Sequence, residues 1–233
     1  MQKIKIKKGH DINISGLASR EFTTASNPKF VSISPQDFNY VKPKMIVREN
    51  DKVSMGDALF FDKNNPDVKW PAIASGVISK IVYGERRAVQ EIIIEIDSEI
   101  EENTSSVGNL GSSPKAVIKE FLTEKNMWPF ITQRPFNKVV NPQDEPKCII
   151  VSLADSSPLA SDLSFSLDDK KDDIVSALSV LKKLTDGHLY VAVRGNNFSY
   201  LSDYDFINLL QIEGPHPSGN VGVILNKVNP INQ

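Results

Sequence analysis

Few residues in this chain could do chemistry, and their spacing excludes several reactions. His10, His188 and His216 lie far apart, with no pair at metal-ligand spacing. The single cysteine, Cys148, sits in the apolar run Cys148-Ile-Ile-Val-Ser-Leu153, where a free thiol is ordinarily buried and inert. One cysteine also excludes an intrachain disulfide framework and an all-cysteine metal or iron–sulfur site within these residues. The run Asp168-Asp-Lys-Lys-Asp-Asp173 reads as a helix start, its carboxylates favoured by the helix dipole, and not as a metal site. No Gly-x-Gly-x-x-Gly follows a strand. Gly214, Gly219 and Gly222 would let backbone amides face an anion, but Pro215 and Pro217 remove two donors, so a rigid turn closing a sheet is the simpler reading. No catalytic constellation, no metal site and no bound cofactor are therefore expected.

The elements that must hold these residues belong to an ordinary globular chain of 233 residues, 40% hydrophobic and 24% charged. That length suits one large domain or two small ones. A net charge of −2 argues against a nucleic-acid footprint. No apolar run approaches the roughly 18 residues that span a bilayer, and the basic start MQKIKIKKGH has no apolar stretch behind it. A soluble cytoplasmic chain, or a soluble piece of something larger, is expected.

Residues 1–100 read as strands. Lys3, Lys5 and Lys7 alternate with Ile4 and Ile6, one face wet and the other buried, and the lysines suit an edge strand. Further short apolar runs follow, separated by turn signals such as Asn50-Asp51, Gly56-Asp57 and Asn64-Asn65-Pro66, as in a small all-β domain. Residues 98–112 are acidic, then Ser/Gly/Asn-rich, and read as a linker. Ser113-Pro114 then opens a helix that must end before Pro129. Beyond it, Cys148–Leu153 reads as a strand covered on both faces, 168–184 as an amphipathic helix, and 189–193 and 207–212 as strands. Strand, helix, strand implies a parallel sheet in an α/β domain. The expected divisions are 1–100 as the β domain, 101–145 as linker and helical crossing segment, and 146–233 as a partial Rossmann-like α/β domain.

Residues 45–82 resemble the biotinyl/lipoyl-carrier type of β fold, the barrel-sandwich hybrid. The resemblance rests on Asn50-Asp-Lys-Val53-Ser-Met-Gly56-Asp-Ala-Leu59 and on Pro71-Ala-Ile-Ala-Ser-Gly76-Val77. Asn50 stands where that pattern has Gly, and Asn also tolerates positive φ. In true carriers a lysine at the hairpin tip bears the prosthetic group. Here the tip holds Asp62-Lys63-Asn64, without the biotin-site Met-Lys-Met, so a solvated turn lysine is the simpler reading.

Three further stretches widen the resemblance: Trp128-Pro-Phe-Ile-Thr-Gln-Arg134-Pro-Phe136, Asp155-Ser-Ser-Pro158-Leu-Ala160 and Gly214-Pro-His-Pro-Ser-Gly219. With them the chain resembles the NqrA family, which belongs to the sodium-translocating NADH:quinone oxidoreductases. The α/β part is also similar to RnfC of the Rnf electron-transport complex and to a flavin-binding domain found in complex I. Family members are about twice as long, so the chain reads as an N-terminal fragment. The resemblance implies a peripheral subunit without a membrane span, on the cytoplasmic face of the bacterial inner membrane. Its partners would be the other subunits of the Na⁺-pumping complex, which carry NADH, FMN and iron–sulfur centres. It also implies contact with ubiquinone or menaquinone. A quinone needs an apolar slot and donors for its carbonyl oxygens. Trp128, Phe130, Arg134 and Phe136 supply that chemistry in one stretch, and His216 is a further donor. The competing reading has the aromatics pinning a crossing segment. Two other functions stay open: an Rnf-type subunit with flavin and iron–sulfur clusters in a further half, and a carrier module modified at Lys63.

Overall fold

The computed structural model describes residues 1–16, 18–100, 108 and 110–231. The chain forms two compact units, one of residues 24–108 and 116–144, the other of residues 1–23, 109–115 and 145–233. The first strand, β1 (Gln2–Lys5), belongs to the second of these and not to the β domain expected over 1–100. Alternation shows only that one face is buried. It cannot say which sheet buries it. Most of the linker expected at 98–112 lies outside the described residues.

The β unit contains β2 (Phe30–Ile33), β3 (Pro43–Met45), β4 (Lys52–Val53), β5 (Ala58–Asp62), β6 (Asn65–Pro71), β7 (Gly76–Tyr83) and β8 (Val89–Ile96). Helix α1 (Lys115–Glu124) and the small hairpin of β9 (Thr132–Gln133) and β10 (Lys138–Val139) follow. One antiparallel sheet runs β2-β8-β7-β4 and a second runs β3-β5-β6. Asn50 adopts the left-handed conformation, φ 73°, in the turn before β4, as the carrier-like pattern requires. The core is aromatic and aliphatic. Trp70 and Phe60, both fully buried, stack at 4.9 Å, and Phe38 meets Trp70 edge-on at 5.3 Å. Each buried ring contributes roughly 1.5–3 kcal/mol.

The α/β unit holds β11 (Cys148–Ser152), the short α2 (Leu163–Ser166), α3 (Lys171–Lys183), β12 (His188–Val193), β13 (Asn208–Glu213) and α4 (Val221–Val228). Its sheet is wholly parallel, ordered β1-β13-β12-β11. On one face Leu178 and its neighbours on α3 pack over Leu189, Val191, Val193 and Leu209. On the other, Ile224 of α4 covers Ile4, Ile6, Leu210 and Ile212.

Three local features depart from expectation. Strand β11 is an edge of the sheet, and all five of its residues are half-buried instead of covered on both faces. Its apolar run matches a central strand because hydrophobicity alone does not report position in the sheet. The helix expected at 168–184 begins three residues late, after a 3₁₀ turn at Asp168–Lys170, and keeps Asp172 and Asp173 in its first turn. Gly222, grouped above with the turn glycines, lies inside α4. That segment is rich in Val and Ile as well, which hides its helical character.

Candidate functional site

All four strands of the parallel sheet point their carboxyl ends to one rim, the position where open α/β sheets bind ligands. The rim is built from four stretches of sequence. After β1 come Gly9, His10 and Asp11. After β11 come Ala154, Asp155 and Ser156. Arg194 follows β12, and the 214–219 loop follows β13.

Hydrogen bonds tie these stretches together. The His10 amide donates to the His216 carbonyl (2.8 Å), and the His216 amide donates to Oδ1 of Asp11 (2.9 Å). The Gly219 amide donates to Ser156 Oγ (2.9 Å), and Ser152 Oγ donates back to the Gly219 carbonyl (3.1 Å). Arg194 donates to Ser218 Oγ (3.0 Å) and to the Gly214 carbonyl (3.1 Å). Glycine is required where backbones pass this closely. A Cβ at Gly219 would sit 2.0 Å from the Ala154 carbonyl oxygen, and one at Gly9 would sit 2.2 Å from that of His216.

The imidazole of His216 is oriented by this network. Its Nδ1 lies 3.1 Å from Ser156 Oγ. That oxygen also accepts from the Gly219 amide, and in the tautomer in which Nδ1 accepts the Ser156 hydroxyl proton the ring proton sits on Nε2. The ring is half-buried, and in that tautomer Nε2 is its N–H donor. Asp155 bonds to Ser157, whose amide and hydroxyl, with smaller help from the Ser156 amide and the charge of His216, hold its carboxyl below the usual range. Because the hydrogen bonds of Asp155 go to Ser157, the Ser156–His216 pair lacks a third group orienting the base. It is not a hydrolytic triad.

The other expected site residues lie in the β unit. Trp128 is 3% exposed, and its indole N–H donates to the Val140 carbonyl (2.8 Å), so its ring is part of the core and closed to a ligand. Phe130 and Phe136, each 63% exposed, present their rings to solvent, and Arg134 is half-buried. Lys63 is exposed at the β5–β6 turn, its amide bonded to the Lys42 carbonyl (2.9 Å). Sequence reasoning misses Arg194 and Ser156 as functional residues. The available signal is position: each follows the apolar run of a strand in a parallel sheet. Among the described residues there is no group of three or more His, Cys, Asp or Glu able to hold a metal ion.

A barrel-sandwich hybrid followed by a parallel α/β unit with a hydrogen-bonded rim defines a two-module architecture. The family model of the NqrA N-terminal barrel-sandwich hybrid domain matches residues 4–97, and that of the NqrA second alpha/beta domain matches residues 113–233. The chain belongs to the NqrA family. It is similar to the NqrA subunit of the Na(+)-translocating NADH-quinone reductase of Hahella chejuensis, 34% identical over 98% of this chain and 52% of that one. Its counterpart in Yersinia pseudotuberculosis is 32% identical over 99% and 52%, and that in Rhodopirellula baltica 31% over 97% and 51%. The chain thus spans about half the length of the curated relatives it matches.

Proposed function

We propose that this chain is a docking component of a sodium-translocating NADH:quinone reductase. It is held on the cytoplasmic face of the inner membrane by neighbouring subunits and carries no redox cofactor of its own. Family membership supports the complex. The peripheral placement is consistent with the described residues, among which no helix is long and apolar enough to cross a membrane. The absence of a bound nucleotide is consistent with the rim, where the His216 and Gly219 amides and two donors of Arg194 are engaged with neighbouring residues.

We further propose contact with quinone. The observation that carries it is the His216 ring, engaged through Nδ1 by Ser156, whose Nε2 suits a quinone carbonyl oxygen when it carries the ring proton. On the β unit, Phe130 and Phe136 beside Arg134 offer a separate apolar and cationic contact. Trp128 supports that stretch from the core and does not touch the ligand.

The test is photolabelling of the assembled complex with an azido short-chain ubiquinone. Saturable labelling of peptides containing His216, or Phe130 and Phe136, displaced by excess ubiquinone, is expected. Labelling confined to other subunits sinks the quinone contact. An absorbance spectrum of the isolated chain with flavin or cluster bands would overturn the cofactor assignment.

A further inference from the structure

We propose that the open edge of β11 receives a further parallel strand, apolar on both faces and supplied by polypeptide equivalent to the half of the relatives that this chain does not span. Among the described residues the parallel sheet has two free edges, β1 and β11. On its inner side β11 is bound to β12, where the Leu153 amide donates to the Ala192 carbonyl (2.8 Å). Successive amides along a strand point to opposite sides, so those of Ile150 and Ser152 point away from β12. Neither amide has a partner among the described residues.

The two edges are dressed differently. Strand β1 carries the exposed Lys3 and Lys5 opposite the buried Ile4, and charged side chains of this kind keep an edge from pairing. Cys148-Ile-Ile-Val-Ser152 has no charge and no proline. Its side chains serve both layers: Ile149 and Val151 pack with α3, and Ile150 packs with α4. All three are only half-buried, as are Val175 of α3 and Val228 of α4 in the same two layers. A strand apolar on both faces is the interior strand of a parallel sheet, and an added neighbour must be apolar on both faces to cover these residues.

Topology fixes which edge is reached from α4. Strand β11 leads to β12 through α3 on one face of the sheet, whereas α4 leaves β13 on the other face. Crossovers between parallel strands are right-handed in about 98% of cases. With α3 on its face the order advances from β11 through β12 to β13. A helix on the opposite face must therefore carry the chain back the other way, away from β1. Strand β12 and β11 occupy that direction, so the first free place is outside β11. The course of α4 agrees. Its C-cap residue Asn229 donates from Nδ2 to Sγ of Cys148 (3.5 Å), the first residue of β11. Polypeptide that enters the edge there runs parallel to β11.

Amide hydrogen exchange, resolved to single residues by fragmentation mass spectrometry, tests this on two preparations. One is the 233-residue chain made alone. The other is the protein purified natively from its own cells, with whatever is joined or bound to it. Ile150 and Ser152 should exchange fast in the first and at least about tenfold slower in the second, with Lys3 and Lys5 fast in both. In the cell-derived protein, photoreactive p-benzoylphenylalanine in place of the exposed Lys147, one residue before β11, should capture a segment matching the unspanned half of the relatives. Ile150→Pro deletes one outward amide and spares the β12 side, so it should return Ser152 to fast exchange in the cell-derived protein. Fast exchange at Ile150 and Ser152 in both preparations overturns the proposal, and so does slowing at Lys3 and Lys5 instead. Slow exchange already in the chain alone, capture of a second copy or of an unrelated protein, or a Ser152 amide that stays slow in the variant overturns it as well. If the variant fails to fold, the two preparations decide without it.

Discussion

The 214–219 loop and the 128–136 stretch both mix prolines with rings able to meet a ligand, yet the molecule treats them oppositely. The loop is tied by hydrogen bonds to three other stretches of sequence, and its serine, Ser218, is fully enclosed. The aromatic stretch is anchored by Trp128 and the buried Pro129, while Phe130 and Phe136 lie open. Rigidity in the first case comes from many polar contacts, each contributing about 0.5–1.5 kcal/mol. In the second it comes from two adjacent buried side chains, Trp128 and Pro129. A ligand at the rim would meet a ring already engaged by Ser156. A partner at the aromatic stretch would meet apolar surface already held in place by its anchor.

Breaking the anchor should have the largest effect. Trp128→Ala should cost about 3–5 kcal/mol in thermal or denaturant unfolding of the β unit. Phe130→Ser and Phe136→Ser should each change stability by no more than about 0.5 kcal/mol. Equal losses from all three would erase the contrast between anchor and display. Next comes the rim. Gly219→Ala forces a Cβ against the Ala154 carbonyl and should cost about 1–3 kcal/mol, with amide exchange at His10 and Gly219 accelerating together. Exchange rising at Gly219 alone would show that the four stretches are not one unit.

The smallest effect concerns pH. Asp155 is held below its ordinary carboxylate range when folded, so the folded state binds its proton less readily than the unfolded chain does. Its contribution is complete above the unfolded value, about 3.9, and fades as pH falls through the folded value. Asp155 is exposed, so Asp155→Asn should cost less than about 0.5 kcal/mol at pH 7, and the difference should shrink as pH falls below the unfolded value of about 3.9. A difference that persists undiminished at low pH would place the effect in packing and not in charge.

Much of this is legible in the sequence. Asn50 and Gly56 announce the carrier-like turn because only a few residues accept positive φ there. Ile174, Leu178 and Leu181 announce α3 because helical spacing is directional. Sheet membership is not legible. Strand β1 alternates equally well for either unit, and β11 is as apolar as an interior strand although it lies at an edge. Residue type alone picks out His216. Its setting depends on Ser156, which only the fold brings to it. Trp128 looks like a ligand contact because an indole serves a core and a pocket equally well.

Strand β1 has a consequence for how the chain is made. It leaves the ribosome well before its partner β13, which includes Leu210, opposite Gln2. At roughly 5–20 residues per second, synthesis separates the two by an interval on the order of 10–40 s. Throughout that time an extended segment with two isoleucines destined for burial, Ile4 and Ile6, must wait without pairing elsewhere while the strands of the β unit emerge. Lys3, Lys5 and Lys7 keep it soluble for that wait. The lysine stripe thus acts before the native sheet exists, and a nascent chain halted ahead of residue 208 would still carry β1 as an unpaired arm.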